Sequence, residues 1–117
     1  MKQIKIEIQT YSKEILHDLF DKDVQLLSEG NKQRIGNTDS EIEIVDYTPT
    51  ESFGLLEVFT ILLSIGSGVT INIISAWLIE KLKKKKDVIA ITINGKSISS
   101  KNLTEERLIA VLKAMSQ

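Results

Sequence analysis

The chain has 117 residues, 42% of them hydrophobic, with one tryptophan and no cysteine. That is apolar material for one modest core and too little for two, so residues 1–117 read as a single domain. With 15 basic against 16 acidic residues, a formal net charge of -1, a global attraction to nucleic acid or anionic lipid is excluded, and the missing cysteine excludes disulfides, thiolate nucleophiles and thiolate metal sites.

The N-terminus, MKQIKIEIQTYSKE, lacks the continuous apolar stretch and cleavage site of a secretory signal, and a cytoplasmic location is the expectation. Ile4, Ile6 and Ile8 alternate with Lys5, Glu7 and Gln9, which predicts a strand with one buried face. Ser12 then caps a helix, with Tyr11 placed to staple onto Leu16, and Ile15, Leu16, Leu19 and Phe20 form its apolar stripe. Val24, Leu26 and Leu27 either prolong that helix or begin an extended segment, and Gly30-Asn31 ends both versions. NKQRIGNTDS reads as a surface loop. Glu41 to Val45, EIEIV, alternates again and is the second predicted strand.

Gly54 to Lys86, GLLEVFTILLSIGSGVTINIISAWLIEKLKKKK, admits three readings. As a membrane span, Val58 to Ile79 carries no formal charge for roughly 22 residues and has lysines at one end. Gly66-Ser67-Gly68, Thr70, Asn72 and Ser75 stand against it, as does the need of the predicted strands for something to pack on. As a phosphate loop, the Gly-Ser-Gly turn before a helix is similar to backbone cradles at helix N-termini. It lacks GxxxxGK[ST], and isoleucine at 71 breaks GxGxxG. The favoured reading is a helix broken at Gly66 and Gly68, because leucine-rich ILLS favours helix and each glycine weakens one by about 1 kcal/mol. Beyond the break, Ile71, Ile74, Leu78 and Leu82 line one face, while Ile73, Trp77 and Ile79 occupy others. A helix apolar on so many sides is expected to meet the C-terminal helix and a partner chain, either a second copy or another protein.

Lys81 and Lys83, Lys84, Lys85 and Lys86 suit a helix C-terminus, where cations complement the dipole, and are a candidate contact for an anionic partner. No aromatics interleave with them for base stacking, so no nucleic-acid partner is expected. Asn94-Gly95 between DVIAITI and KSISS predicts a type I′ hairpin. Thr104 caps a final helix with Leu103 and Leu108 as staple and Glu105 and Glu106 in its first turn, and Leu108, Val111, Leu112 and Met115 share one face. The predicted fold is therefore α+β: a mainly antiparallel four-stranded sheet in the order β-α-β-α-α-β-β-α, packed against a glycine-broken central helix and a C-terminal helix.

Catalysis has little to stand on. His17, the only histidine, falls away from the Leu16/Phe20 stripe, and Asp18, Asp21 and Asp23 match no EF-hand spacing. Serines lack a second histidine or an activating lysine. The expectation is a non-enzyme with no cofactor and no metal.

The order of features, namely Glu14-Ile-Leu-His-Asp-Leu-Phe20, a strand ending near Pro49, Gly54-Leu55-Leu56, Ile65-Gly-Ser-Gly68, Ser75-Ala-Trp77-Leu78 with basic residues after it, a V-x-I-x-I strand, Asn94-Gly95 and a Glu/Leu-rich helix, resembles the effector-associated constant component family of bacterial conflict systems. The resemblance covers nearly the full chain. Its most specific part is the glycine break followed by the tryptophan-leucine pair and the basic run. Lysines stand where arginines are common in that family, and Phe20 where a tryptophan commonly stands. The resemblance implies a non-catalytic adaptor or regulator of a separately encoded effector, protease-like or other, in defence against phage. It carries no catalytic residues. The interaction or structural positions it marks here are Gly66 and Gly68 for backbone geometry, Trp77 and Leu78 for packing, and the lysine block for contact. The alternatives are a small membrane-inserting effector using residues 58–79, and a ligand or nucleotide sensor at the Gly-Ser-Gly turn.

Overall fold

In the computed structural model, which describes residues 2–23, 26–46, 56–66, 71–84 and 86–116, the first strand is the one its alternation predicts. Strand β1 (Lys2–Thr10) buries Ile4, Ile6 and Ile8 and turns Lys5, Glu7 and Gln9 to the opposite face. It is followed by α1 (Glu14–Phe20), β2 (Lys32–Arg34), β3 (Glu41–Asp46), β4 (Glu57–Ile65), α2 (Ile71–Lys83), β5 (Val88–Ile93), β6 (Lys96–Ser99), a 3-10 turn at Ser100–Asn102, and α3 (Glu105–Ser116). The strands form one sheet in the order β2-β3-β4-β1-β5-β6, with every neighbouring pair antiparallel.

Register makes the core. Ile44, Ile61, Ile6 and Ile93 stand in one row across four strands, and Phe59, Ile8, Ile91 and Ile98 in the next. All eight are buried and share one cluster with Ile15, Leu16, Leu19 and Phe20 of α1, Ile74, Leu78 and Leu82 of α2, and Leu108, Val111 and Leu112 of α3. The three helices therefore cover the same face of the sheet. Each such side chain contributes about 1.5–3 kcal/mol by leaving water.

Two departures from the predicted α+β order have clear causes. Residues 57–65 form a strand, not the first half of a broken helix. Val58, Phe59, Thr60 and Ile61 are β-branched or aromatic, and β4 lies between β3 and β1, where burial reaches both faces. Thr60 and Ser64 are buried on the side opposite Ile61 and Leu63, which blurs the period of two. The second departure is β2, within the supposed loop NKQRIGNTDS: it pairs Lys32 with Glu43 and Arg34 with Glu41, and Ile35 after it is buried. The sheet accordingly has six strands where four were expected.

Helix α1 begins one residue later than its predicted cap allows. Ser12 Oγ accepts the Glu14 N–H at 3.2 Å, with Lys13 at the boundary. Tyr11, the expected staple residue, is 50% exposed, and its backbone N–H donates to the Asp87 carbonyl at 3.0 Å. The helix stops at Asp21, which adopts a left-handed conformation with φ 51. Val24 lies outside the described residues; of its neighbours, Leu27 is buried and Leu26 is exposed.

The C-terminal third follows its prediction closely. Asn94 and Gly95 have φ of 49 and 86, the pair of positive angles that a type I′ turn needs. Thr104 Oγ1 accepts the Arg107 N–H at 3.1 Å, and Leu103 and Leu108 are both buried, as a capped and stapled helix start requires. Replacing Gly95 with valine forces a β-branched residue to positive φ and is expected to cost about 1–3 kcal/mol. Asn94→Gly accepts its angle and is expected to leave thermal melting nearly unchanged. Equal melting temperatures for Gly95→Val and the parent chain would contradict the assigned turn.

Candidate functional site

The sequence marks Gly66, Gly68, Trp77, Leu78 and the lysine block as one region, and the structure separates their roles. Gly66 ends β4 with φ outside the left-handed region, so torsional freedom is not what requires glycine. Its N–H donates to Ser40 Oγ at 2.9 Å, and the Asp39 carboxylate occupies the space that a side chain would fill. The loop between β2 and β3 thus closes onto the end of β4. Gly68 lies outside the described residues, as does the rest of the Gly-Ser-Gly turn.

Leu78 is a core residue, buried beside Ile74 and Leu82. Ser75, also buried on α2, has no hydrogen-bond partner for its hydroxyl among the described residues. Trp77 is half-buried: it packs against the core at one side and carries Lys81 Nζ at 5.9 Å from its ring centroid on the other, a cation–π contact one helical turn apart. Ile73, one turn before Trp77, is 51% exposed. Ile73, Trp77 and Lys81 therefore form a continuous ridge at spacings of four residues, apolar at its start and cationic at its end.

The lysine block divides along the chain. Lys81 and Lys83 occupy the last turn of α2, Lys84 pairs with Glu80 at 3.4 Å, and Lys86 is exposed in the turn to β5. Lys85 lies outside the described residues. Lys83 and Lys86 flank a shallow hollow of about 210 Å³ with Leu82, Val88 and Ser100. Exposed lysines at a helix end complement the dipole, and the Lys84–Glu80 pair, both partners well exposed, contributes little.

His17 is exposed on α1, and its Nδ1–H donates to the Lys22 carbonyl at 2.6 Å. Among the described residues no group of three or more His, Asp or Glu side chains is placed to hold a metal ion. Residues 58–79 do not form one helix: 58–65 belong to β4, and α2, with 13 residues, is about 20 Å long against the roughly 30 Å of a hydrocarbon core. Among the described residues no helix is long and apolar enough to cross a membrane.

The sequence reading missed two groups. One is Asp39 and Ser40 against Gly66, which a loop sequence does not signal. The other is a groove of about 320 Å³ lined by Lys96, Arg107, Ala110, Val111, Ala114 and Met115. Its signal was present in the 107/110/111/114 spacing of α3, which overlaps the core stripe already read at Val111. Comparisons with family models, curated proteins and solved structures find no match to this chain.

The close approach at Gly66 generates a double-mutant test. Gly66→Ala must displace the Asp39 carboxylate and is expected to cost about 1–3 kcal/mol in urea unfolding. In an Asp39→Ala background the same change is expected to cost roughly 1 kcal/mol less. Identical costs in the two backgrounds would remove Asp39 as the reason for glycine.

Proposed function

We propose that this chain is a non-catalytic adaptor or regulatory component of a bacterial anti-phage or conflict system, one that binds and controls a separately encoded effector in the cytoplasm. The observation that carries the reading is the Ile73–Trp77–Lys81 ridge on α2, where a helix that buries Ile74, Leu78 and Leu82 also leaves Ile73 51% exposed. An aromatic anchor with an apolar neighbour and a cationic rim is the composition from which protein-binding hot spots are made. The effector surface that fits it is apolar at its centre and acidic at one side. The same part of the chain carries the tryptophan-leucine and basic elements of the family resemblance.

The two alternative roles draw less support. A membrane-inserting effector would need residues 58–79 as one helix, and residues 58–65 belong to the strand between β3 and β1. A nucleotide sensor would need the backbone donors of the glycine turn, and the Gly66 N–H is already bonded to Ser40.

The test is titration calorimetry of this chain against each purified product of the genes encoded beside it. A stoichiometric complex is expected, and Ile73→Glu, at an exposed position, is expected to weaken it by about tenfold or more with thermal melting unchanged. Binding by no neighbouring product, or full affinity of Ile73→Glu for the one that binds, would overturn the proposal.

A further inference from the structure

The groove between β6 and α3 borders the core stripe of α3, sharing Val111 and Met115 with it and extending outward over Ala110 and Ala114, and two features there point to a ligand. Strand β6 is the sheet edge beyond β5, and no other strand pairs with it among the described residues. The two-residue turn makes Ile93–Lys96 the bonded pair that closes the hairpin, so Thr92–Ser97 and Ala90–Ser99 are the non-bonded pairs. Ser97 and Ser99 consequently direct their N–H and C=O groups outward, the arrangement that accepts an additional strand.

The second feature is the lining of the groove. Ala110 and Ala114 are short and leave its floor open and apolar, with Val111 and Met115 beside them. Lys96 stands at the hairpin end, where Asn94 Nδ2 donates to Met115 Sδ at 3.2 Å, and Arg107 stands in the first turn of α3 at the opposite end. Both cations are exposed, and neither has an ion pair among the described residues. Glu105 and Glu106, the nearest acids on α3, fall outside the 107/110/111/114 stripe. From Arg107 to Ala114 the helix rises about 10 Å. A strand covers roughly 13 Å between residues i and i+4 with i+2 on the same side.

We propose that this groove binds an extended acidic peptide segment of a partner protein, which adds to the sheet beside β6. Its backbone pairs with Ser97 and Ser99. Its carboxylate side chains at i and i+4 meet Arg107 and Lys96, and a small apolar side chain at i+2 rests on Ala110 and Ala114. The site stands on the groove alone and does not require the Ile73–Trp77–Lys81 ridge or a conflict-system role. A chain with both surfaces can bridge two partners.

The probe is a synthetic peptide with glutamate, valine and glutamate at i, i+2 and i+4 and serine between them, titrated by NMR into the full chain. Binding is expected with slowed hydrogen exchange at the Ser97 and Ser99 amides. A version with lysine in place of both glutamates is expected to bind at least about tenfold more weakly. Ser97→Pro removes an outward N–H that has no backbone partner among the described residues, and Ala110→Glu fills the floor with an opposing charge. Each is expected to lower affinity by about tenfold or more. If Ser97→Pro fails to fold, Ala110→Glu on the exposed face of α3 decides alone. The proposal is overturned by no binding of the acidic peptide, by equal binding of the lysine version, by binding without protection of Ser97 and Ser99, or by undiminished affinity of Ala110→Glu. It is equally overturned if light scattering finds a dimer that Ser97→Pro dissociates, since the occupant of the edge is then a second copy of this chain.

Discussion

Everything in this fold leans on three isoleucines of one strand. Ile4, Ile6 and Ile8 of β1 are each flanked by a buried residue of β4, and Ile6 and Ile8 also by one of β5. Because β4 and β5 are both antiparallel to β1, they run parallel to each other, and the chain between them must cross over the sheet. That crossover is α2. The core face of α2 is fixed by the isoleucine rows beneath it, and the Ile73–Trp77–Lys81 ridge is what the same helix then presents to solvent.

The same constraint places the edges. With β1 and β4 at the centre, the two hairpins extend outward, β2–β3 on one side and β5–β6 on the other. One edge is a three-residue strand with Lys32 within 4 Å of Glu41 and Glu43. Short length and charge blunt an edge against unwanted pairing. The other edge, β6, has serines at its outward positions and a groove beside it, a difference that gives the molecule a polarity across the sheet.

What the sequence made legible was whatever depended on local chemistry. The Ile4/Ile6/Ile8 alternation, the Asn94-Gly95 turn, the Thr104 cap with its Leu103/Leu108 staple, and the EIEIV strand each announce themselves within a few residues. What it concealed depended on distant partners. EVFTILLSI shows no clean alternation because β4 is buried on both faces, Thr60 and Ser64 on one and Ile61 and Leu63 on the other, so no period separates strand from helix. Lys32–Arg34 has no apolar signal, since it becomes a strand only by pairing with Glu41–Glu43. Gly66 was noticed for backbone geometry, whereas its φ lies outside the left-handed region and the space beside it is taken by the Asp39 carboxylate from a separate loop. Leu78 and Trp77, read as one packing pair, divide into a core residue and a surface anchor because adjacent helix positions face about 100° apart.

The whole sheet depends on residues 57–65 being the strand between β3 and β1. The direct measurement is a set of inter-strand nuclear Overhauser contacts and carbon chemical shifts on the isotopically labelled chain. Cross-strand contacts linking residues of β1 to both β4 and β5, with Ile6 opposite Ile61 and Ile93, and extended-type shifts from Glu57 to Ile65 are the expected result. Helical shifts through that segment, with contacts from Ile6 to Ile93 alone, would contradict it.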